Sequence, residues 1–151
     1  MCRSRLGRNC SILSELAFKL EHRILRIMKT TIFIVLRVLL GLFMVVIGLN
    51  KFLVFIEIPN PPGDGGKLMQ VYITSGFLKL VGVLEFLGGV ALLINKFVPL
   101  ALTIITAIMF NATVFHGLHD PAGTGAAAFC LLLSLALIYG NKERFSGLLS
   151  A

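Results

Sequence analysis

Charged side chains are scarce in this chain. Asp, Glu, Lys and Arg make up 14% of the 151 residues, and only seven are acidic. A domain of this size has too much surface for so few charges to shield a chain that is 57% hydrophobic, so an ordinary soluble enzyme is excluded. A disordered tail is excluded for the same reason, since such tails are poor in apolar residues. No CxxC occurs. The cysteines are Cys2, Cys10 and Cys130, an odd number that implies no disulfide framework and no dithiol redox motif. A glycine-rich nucleotide-binding loop is also missing. What is present is apolar: with its 15 glycines counted, about two-thirds of the chain, against roughly half in a soluble domain. Mean hydropathy is +0.94. The expected fold is an all-α integral membrane protein, a four-helix transmembrane bundle.

Four apolar stretches support that expectation. Residues 97–119 and 121–141 carry no Asp, Glu, Lys or Arg except Asp120 between them, and each has the roughly 20 residues that a helix needs to cross the hydrocarbon core. Residues 30–55 hold Arg37 and Lys51, and residues 69–94 hold Lys79 and Glu85. Between these two, IPNPPGDGGK has too much proline and glycine to continue a helix and predicts an exposed loop. Pro99 stands in the first turn of the third stretch, as suits a helix start.

The net charge is +7. Of the 14 basic residues, ten fall on one side of such a bundle: Arg3, Arg5, Arg8, Lys19, Arg23, Arg26, Lys29, Lys96, Lys142 and Arg144. The opposite loops hold only Lys67. The asymmetry predicts a multi-pass membrane protein with both termini in the cytoplasm. Nothing accompanies the charge that would make it a nucleic-acid surface, so no nucleic acid partner is expected, and the lipid bilayer is the partner. Residues 1–27 read in two ways. Leu13, Leu16, Leu20, Ile24 and Ile27 recur at helical spacing among basic residues, as in an amphipathic helix on the inner membrane surface. Alternatively they precede the true start at Met28. The domain itself is expected over residues 28–145, with a short tail at 146–151.

Ionisable groups inside a span need a partner or water. Arg37 lies roughly 10 Å and Glu85 roughly 13 Å from the same membrane edge, by rise along their helices. The matching depths predict an Arg37–Glu85 pair. It would pin two helices together or form a polar, proton-accessible cavity floor, unless Arg37 snorkels to the surface instead. Toward the other face, Asn50, Lys51, Lys79, Asn111 and His116 are either a small ligand pocket or interfacial anchors. His116, His119 and Asp120 have metal-ligand chemistry, but no third histidine or cysteine lies nearby, and no metal site is expected. Gly41 and Gly48 share one helix face, and Gly82, Gly88 and Gly89 mark the next helix, as close helix packing requires. Cys130, in a leucine-rich stretch, reads as a packing residue.

Three stretches in order, LRVLLGLFMVVIGLNKF (36–52), SGFLKLVGVLEFLGGVALLI (75–94) and VPLALTIITAIMFNATVFH (98–116), followed by a fourth apolar span, resemble the DoxX family of small bacterial membrane proteins. The resemblance runs over about 36–145. The residues matching its pattern are Arg37, Gly41, Gly48, Lys51, Glu85, Gly88, Gly89, Asn111 and His116. It implies a four-helix inner-membrane protein, some relatives of which are linked to quinone-coupled sulfur oxidation or membrane redox complexes. It assigns no catalytic residue. Three functions follow as expectations. The first is a redox-associated subunit that holds a quinone or other lipophilic molecule in the bundle, beside a membrane redox partner subunit. The second is a small transporter built as a homo-oligomer. The third is a structural or assembly subunit without catalysis.

Overall fold

The computed structural model describes residues 3–57 and 59–149, and among these there are six helices and no strand. They are α1 (Arg3–Leu53), α2 (Asp64–Thr74), α3 (Phe77–Leu93), α4 (Val98–His119), α5 (Pro121–Gly140) and α6 (Lys142–Leu149). The chain divides into two compact units, residues 1–35 and 36–151.

In the first unit the backbone is helical from Arg3. Lys19 Nζ donates to Glu15 Oε1 at 2.7 Å, one turn away, and the Phe18 ring meets His22 edge-on at 4.3 Å between centroids. Leu20, Ile24 and Ile27 are uncovered by protein. The side chains of Leu13 and Leu16, the other members of the expected apolar stripe, lie outside the described residues, as does Cys2.

The second unit holds the bundle. Helix is the form an apolar chain takes in lipid, because only there does each span satisfy its own backbone donors and acceptors. Residues 18–53, 98–119 and 121–140 are long and apolar enough to cross a membrane. A fourth crossing is reached if α2 and α3 count as one broken span. The break corrects the single helix expected over 69–94: the two axes bend by 76°. The cause is local. Gly76 adopts a left-handed φ of 75°, and Thr74 Oγ1 turns back to the carbonyls of Gln70 and Val71. Glycine takes that conformation without the cost a β-carbon would add.

Inside, α4 packs on α5 and α3, while α2 lies against α3 and α4. Leu40, Met44, Leu92, Leu102, Ile105 and Leu137 are fully buried. Leu39, Phe110, Phe129 and Leu132 are largely uncovered. In a soluble protein that exposure would promote aggregation; on helices of this length it is the lipid-facing side.

The contact between α1 and α3 is made backbone to backbone. A β-carbon on Gly89 would sit 2.7 Å from the Gly41 carbonyl, and one on Gly48 would sit 2.8 Å from the Gly82 carbonyl. Gly41 therefore faces Gly89 and Gly48 faces Gly82, an antiparallel register fixed at two points. On this scale Glu85 is level with Val45, and Arg37 is level with the end of α3.

Candidate functional site

The register decides which charges meet. A helical side chain leans toward the N-terminus of its own helix. Lys51, beyond Gly48, leans back toward the Gly48–Gly82 crossing. Glu85 leans toward Gly82 and reaches the same level from the other helix. Lys51 Nζ donates to Glu85 Oε2, and the side chains are only 15% and 3% exposed. The pair is thus an ion pair buried between two helices of the bundle.

This corrects the Arg37–Glu85 pair expected from depth. Arg37 stands eight residues, or about 12 Å, before the residue level with Glu85, and its side chain leans the opposite way. It donates through Nη1 to Asn95 Oδ1 in the α3–α4 connection. Depth from the membrane edge placed the two groups in one layer; the glycine contacts and the direction of lean separate them.

The second expected cluster is also dispersed. Asn50 is buried, but it serves the backbone: its Nδ2 donates to the Ile56 carbonyl at 3.0 Å and its Oδ1 accepts from the Ile56 N–H at 2.7 Å. It fixes the chain where α1 ends and Val54 takes a left-handed φ of 48°. Lys79 points outward near the start of α3. Asn111 is exposed and donates to the Ala107 carbonyl of its own helix at 2.9 Å. His116 Nδ1 lies 2.9 Å from Asp120 Oδ2 and braces the α4–α5 corner over Gly123. Among the described residues, no polar contact joins Lys79, Asn111 or His116 to Lys51 or Glu85, and no group of three metal-ligating side chains forms.

Two features were not foreseen. Thr106 Oγ1 donates to Ser134 Oγ at 2.9 Å, and Ser134 donates to the Leu131 carbonyl at 2.8 Å, tying α4 to α5 deep in the core. Four residues before Ser134, Cys130 is buried in the same helix. The same cysteine lines an apolar groove of about 280 Å³ between α1 and α5, with Leu36, Leu40, Phe43, Ala126 and Leu133. Leu39 and Phe129 complete its lining and remain open to lipid. No sequence pattern marks the groove, because it is made of the same leucine and phenylalanine that line the rest of the spans.

The site therefore consists of a buried Lys51–Glu85 pair and, reached from lipid, an apolar groove whose wall includes Cys130. A carboxylate and an ammonium can share a proton, and an apolar groove open to lipid can receive an apolar body.

Comparison with curated proteins returned no match, and neither did comparison with solved structures. A family model, DoxX, matches residues 32–118. That stretch runs from the middle of α1 nearly to the end of α4 and contains both members of the ion pair and all four glycines of the α1–α3 contact. The match covers more than half of the chain, and the protein belongs to the DoxX family.

Proposed function

We propose that this multi-pass membrane protein is a redox-associated subunit that binds a quinone-class lipophilic molecule in the groove between α1 and α5. The observation that carries the reading is the buried Lys51–Glu85 pair, in a bundle that also holds a lipid-open groove lined by Cys130. A buried ion pair is costly to desolvate and gives weak net stabilisation. Its presence in the same bundle as a lipid-accessible groove suits a molecule with an apolar tail and a carbonyl head whose protonation state changes. The chain carries no redox group of its own on this reading, so electrons would pass between the bound quinone and a partner subunit. The ten-to-one distribution of basic residues supports cytoplasmic termini, and the DoxX membership supports a bacterial inner-membrane location.

The test is extraction of purified protein and mass spectrometry of its lipids, with titration of a short-chain benzoquinone in detergent. A co-purifying or titrating quinone, weakened by Glu85→Gln, is expected. Protein that neither carries nor binds quinone overturns the reading.

A structural role is the second reading, and one observation favours it. Asn50, Thr106, Asn111 and Ser134 all find hydrogen-bond partners within the chain. On that reading Glu85→Gln lowers stability and changes no ligand.

A further inference from the structure

At the end of the bundle that carries the α3–α4 connection and α6, two guanidinium groups converge on one oxygen. Arg37 Nη1 and Arg144 Nη1 both donate to Asn95 Oδ1, the latter at 2.9 Å. Two donors on one acceptor are within about 6 Å of each other. Neither arginine forms an ion pair with a carboxylate of the described residues. The shared partner is a neutral amide, which offsets neither charge. Each guanidinium has five N–H donors in a planar fork, and one from each is used here. The Nε of Arg37 is buried and has no hydrogen-bond partner. A buried donor left unpaired is uncommon in a folded protein and marks a place where another acceptor belongs.

We propose that Arg37, Arg144 and Asn95 form a binding site for a phosphate group at the membrane boundary, normally that of an anionic phospholipid. Paired arginines present several N–H donors to the oxygens of one phosphate, a geometry that lysine cannot match. The placement identifies the lipid as the source. Asn95 and Arg144 are exposed at the ends of spans, where head groups lie. Ile94 and Phe97 flank Asn95 and are 58% and 76% exposed, ready to cover the start of an acyl chain. Asn95 holds a left-handed φ of 57°, which turns its amide between the two arginines. Lys96 adds positive charge at the same end, whereas the Lys142 ammonium lies over the Tyr139 ring, 5.8 Å from its centroid. The site is separate from the Lys51–Glu85 pair and does not depend on the quinone reading.

The experiment uses the full chain in detergent, with native mass spectrometry and thermal unfolding as readouts. The probes are phosphatidylglycerol, phosphatidylcholine and inorganic phosphate. Wild type should retain phosphatidylglycerol in preference to phosphatidylcholine and unfold at a higher temperature with it. Arg144→Gln, on an exposed side chain outside the packed core, should weaken retention about tenfold or more, as should Arg37→Gln. Arg144→Lys should restore only part of the binding, and Lys142→Gln should leave it intact. Inorganic phosphate binding with the same dependence on both arginines, and displacing the lipid, would keep the phosphate site but make free phosphate its source. Retention of phosphatidylglycerol unchanged in Arg144→Gln and Arg37→Gln, or weakened equally by Lys142→Gln, overturns the proposal.

Discussion

Replacing Lys51 with methionine leaves the Glu85 carboxylate buried without its partner. Glu85 is 3% exposed, and no other basic group of the described residues pairs with it. Removing one member of a buried ion pair costs about 3–5 kcal/mol, most of it the desolvation of the charge left behind. Arg37→Met is the natural comparison, because the depth estimate assigned Arg37 to the same carboxylate. Its side chain bonds an exposed asparagine instead, and the loss of one such hydrogen bond is worth about 0.5–1.5 kcal/mol. The two methionine variants should therefore differ by about 2 kcal/mol or more. Glu85→Leu alone strands Lys51, which is 15% exposed and better able to reach water, so its cost should be smaller than that of Lys51→Met.

The decisive variant is the double one. Lys51→Met with Glu85→Leu removes both charges and fills the space with apolar atoms, and such replacements are often neutral or stabilising. Stability should return to within about 1 kcal/mol of wild type, giving a coupling of about 3 kcal/mol or more, at or above the top of the ~0.5–3 kcal/mol range seen for contacting residues. Reversible unfolding by increasing the mole fraction of denaturing detergent reads all four proteins on one scale. Additivity of the two single changes to within about 0.5 kcal/mol would mean that the residues do not interact. An Arg37→Met cost equal to that of Lys51→Met would refute the register deduced from the glycines.

A β-carbon at Gly48 would lie 2.8 Å from both the Gly82 carbonyl and the Phe86 amide nitrogen, so Gly48→Ala should force α1 and α3 apart and cost about 1–3 kcal/mol in the same assay. Gly125→Ala, with nothing within 4 Å, should instead be neutral or stabilising by up to about 1 kcal/mol. Asn50→Ala leaves the Ile56 N–H and carbonyl without their partner, at a cost of about 1–3 kcal/mol, and should speed amide hydrogen exchange at residues 54–57.

The membrane fold was legible because its signal is coarse. Long apolar runs without charge at 97–119 and 121–141 match α4 and α5 closely, and the proline-rich loop after residue 57 separates α1 from α2 but ends sooner than expected, since residues 64–67 already form the first turn of α2. The break at Gly76 was legible only in part: Thr74, Ser75 and Gly76 are turn-forming residues, but the stretch around them is apolar enough overall to read as one span, and the fold shows the bend there. Glu85 stood out as a charge needing a partner, but its partner depended on helix register. The sequence contained the needed clue in the spacing of Gly41, Gly48, Gly82 and Gly89, which aligns the helices more sharply than distance from the membrane edge. Asn111 and His116 were grouped with Lys51 by depth alone. In the bundle Asn111 bonds its own helix and His116 braces a corner, because depth does not specify the direction in which a helical side chain points.

The glycines and the ion pair constrain one another. Packing between membrane helices lacks a hydrophobic drive, so α1 and α3 are held by close contact and polar bonds rather than by removal of oil from water. Close contact alone tolerates sliding wherever small residues recur. Gly88 stands next to Gly89 but faces Ile105 of α4, so a turn of α3 by one residue would present it to α1 in place of Gly89. Such a slip would rotate Glu85 out of line with Lys51 and leave a carboxylate facing hydrocarbon, an outcome that costs several kcal/mol. The ion pair thus discriminates between registers that steric fit alone would leave close in energy, as buried polar groups do where they set register in helical assemblies. The glycines, in turn, bring the backbones near enough for Lys51 to reach Glu85 without solvent between them. Losing either device should loosen the other, so Gly48→Ala ought to weaken the Lys51–Glu85 coupling measured in the double-mutant cycle and not merely lower stability by a fixed amount.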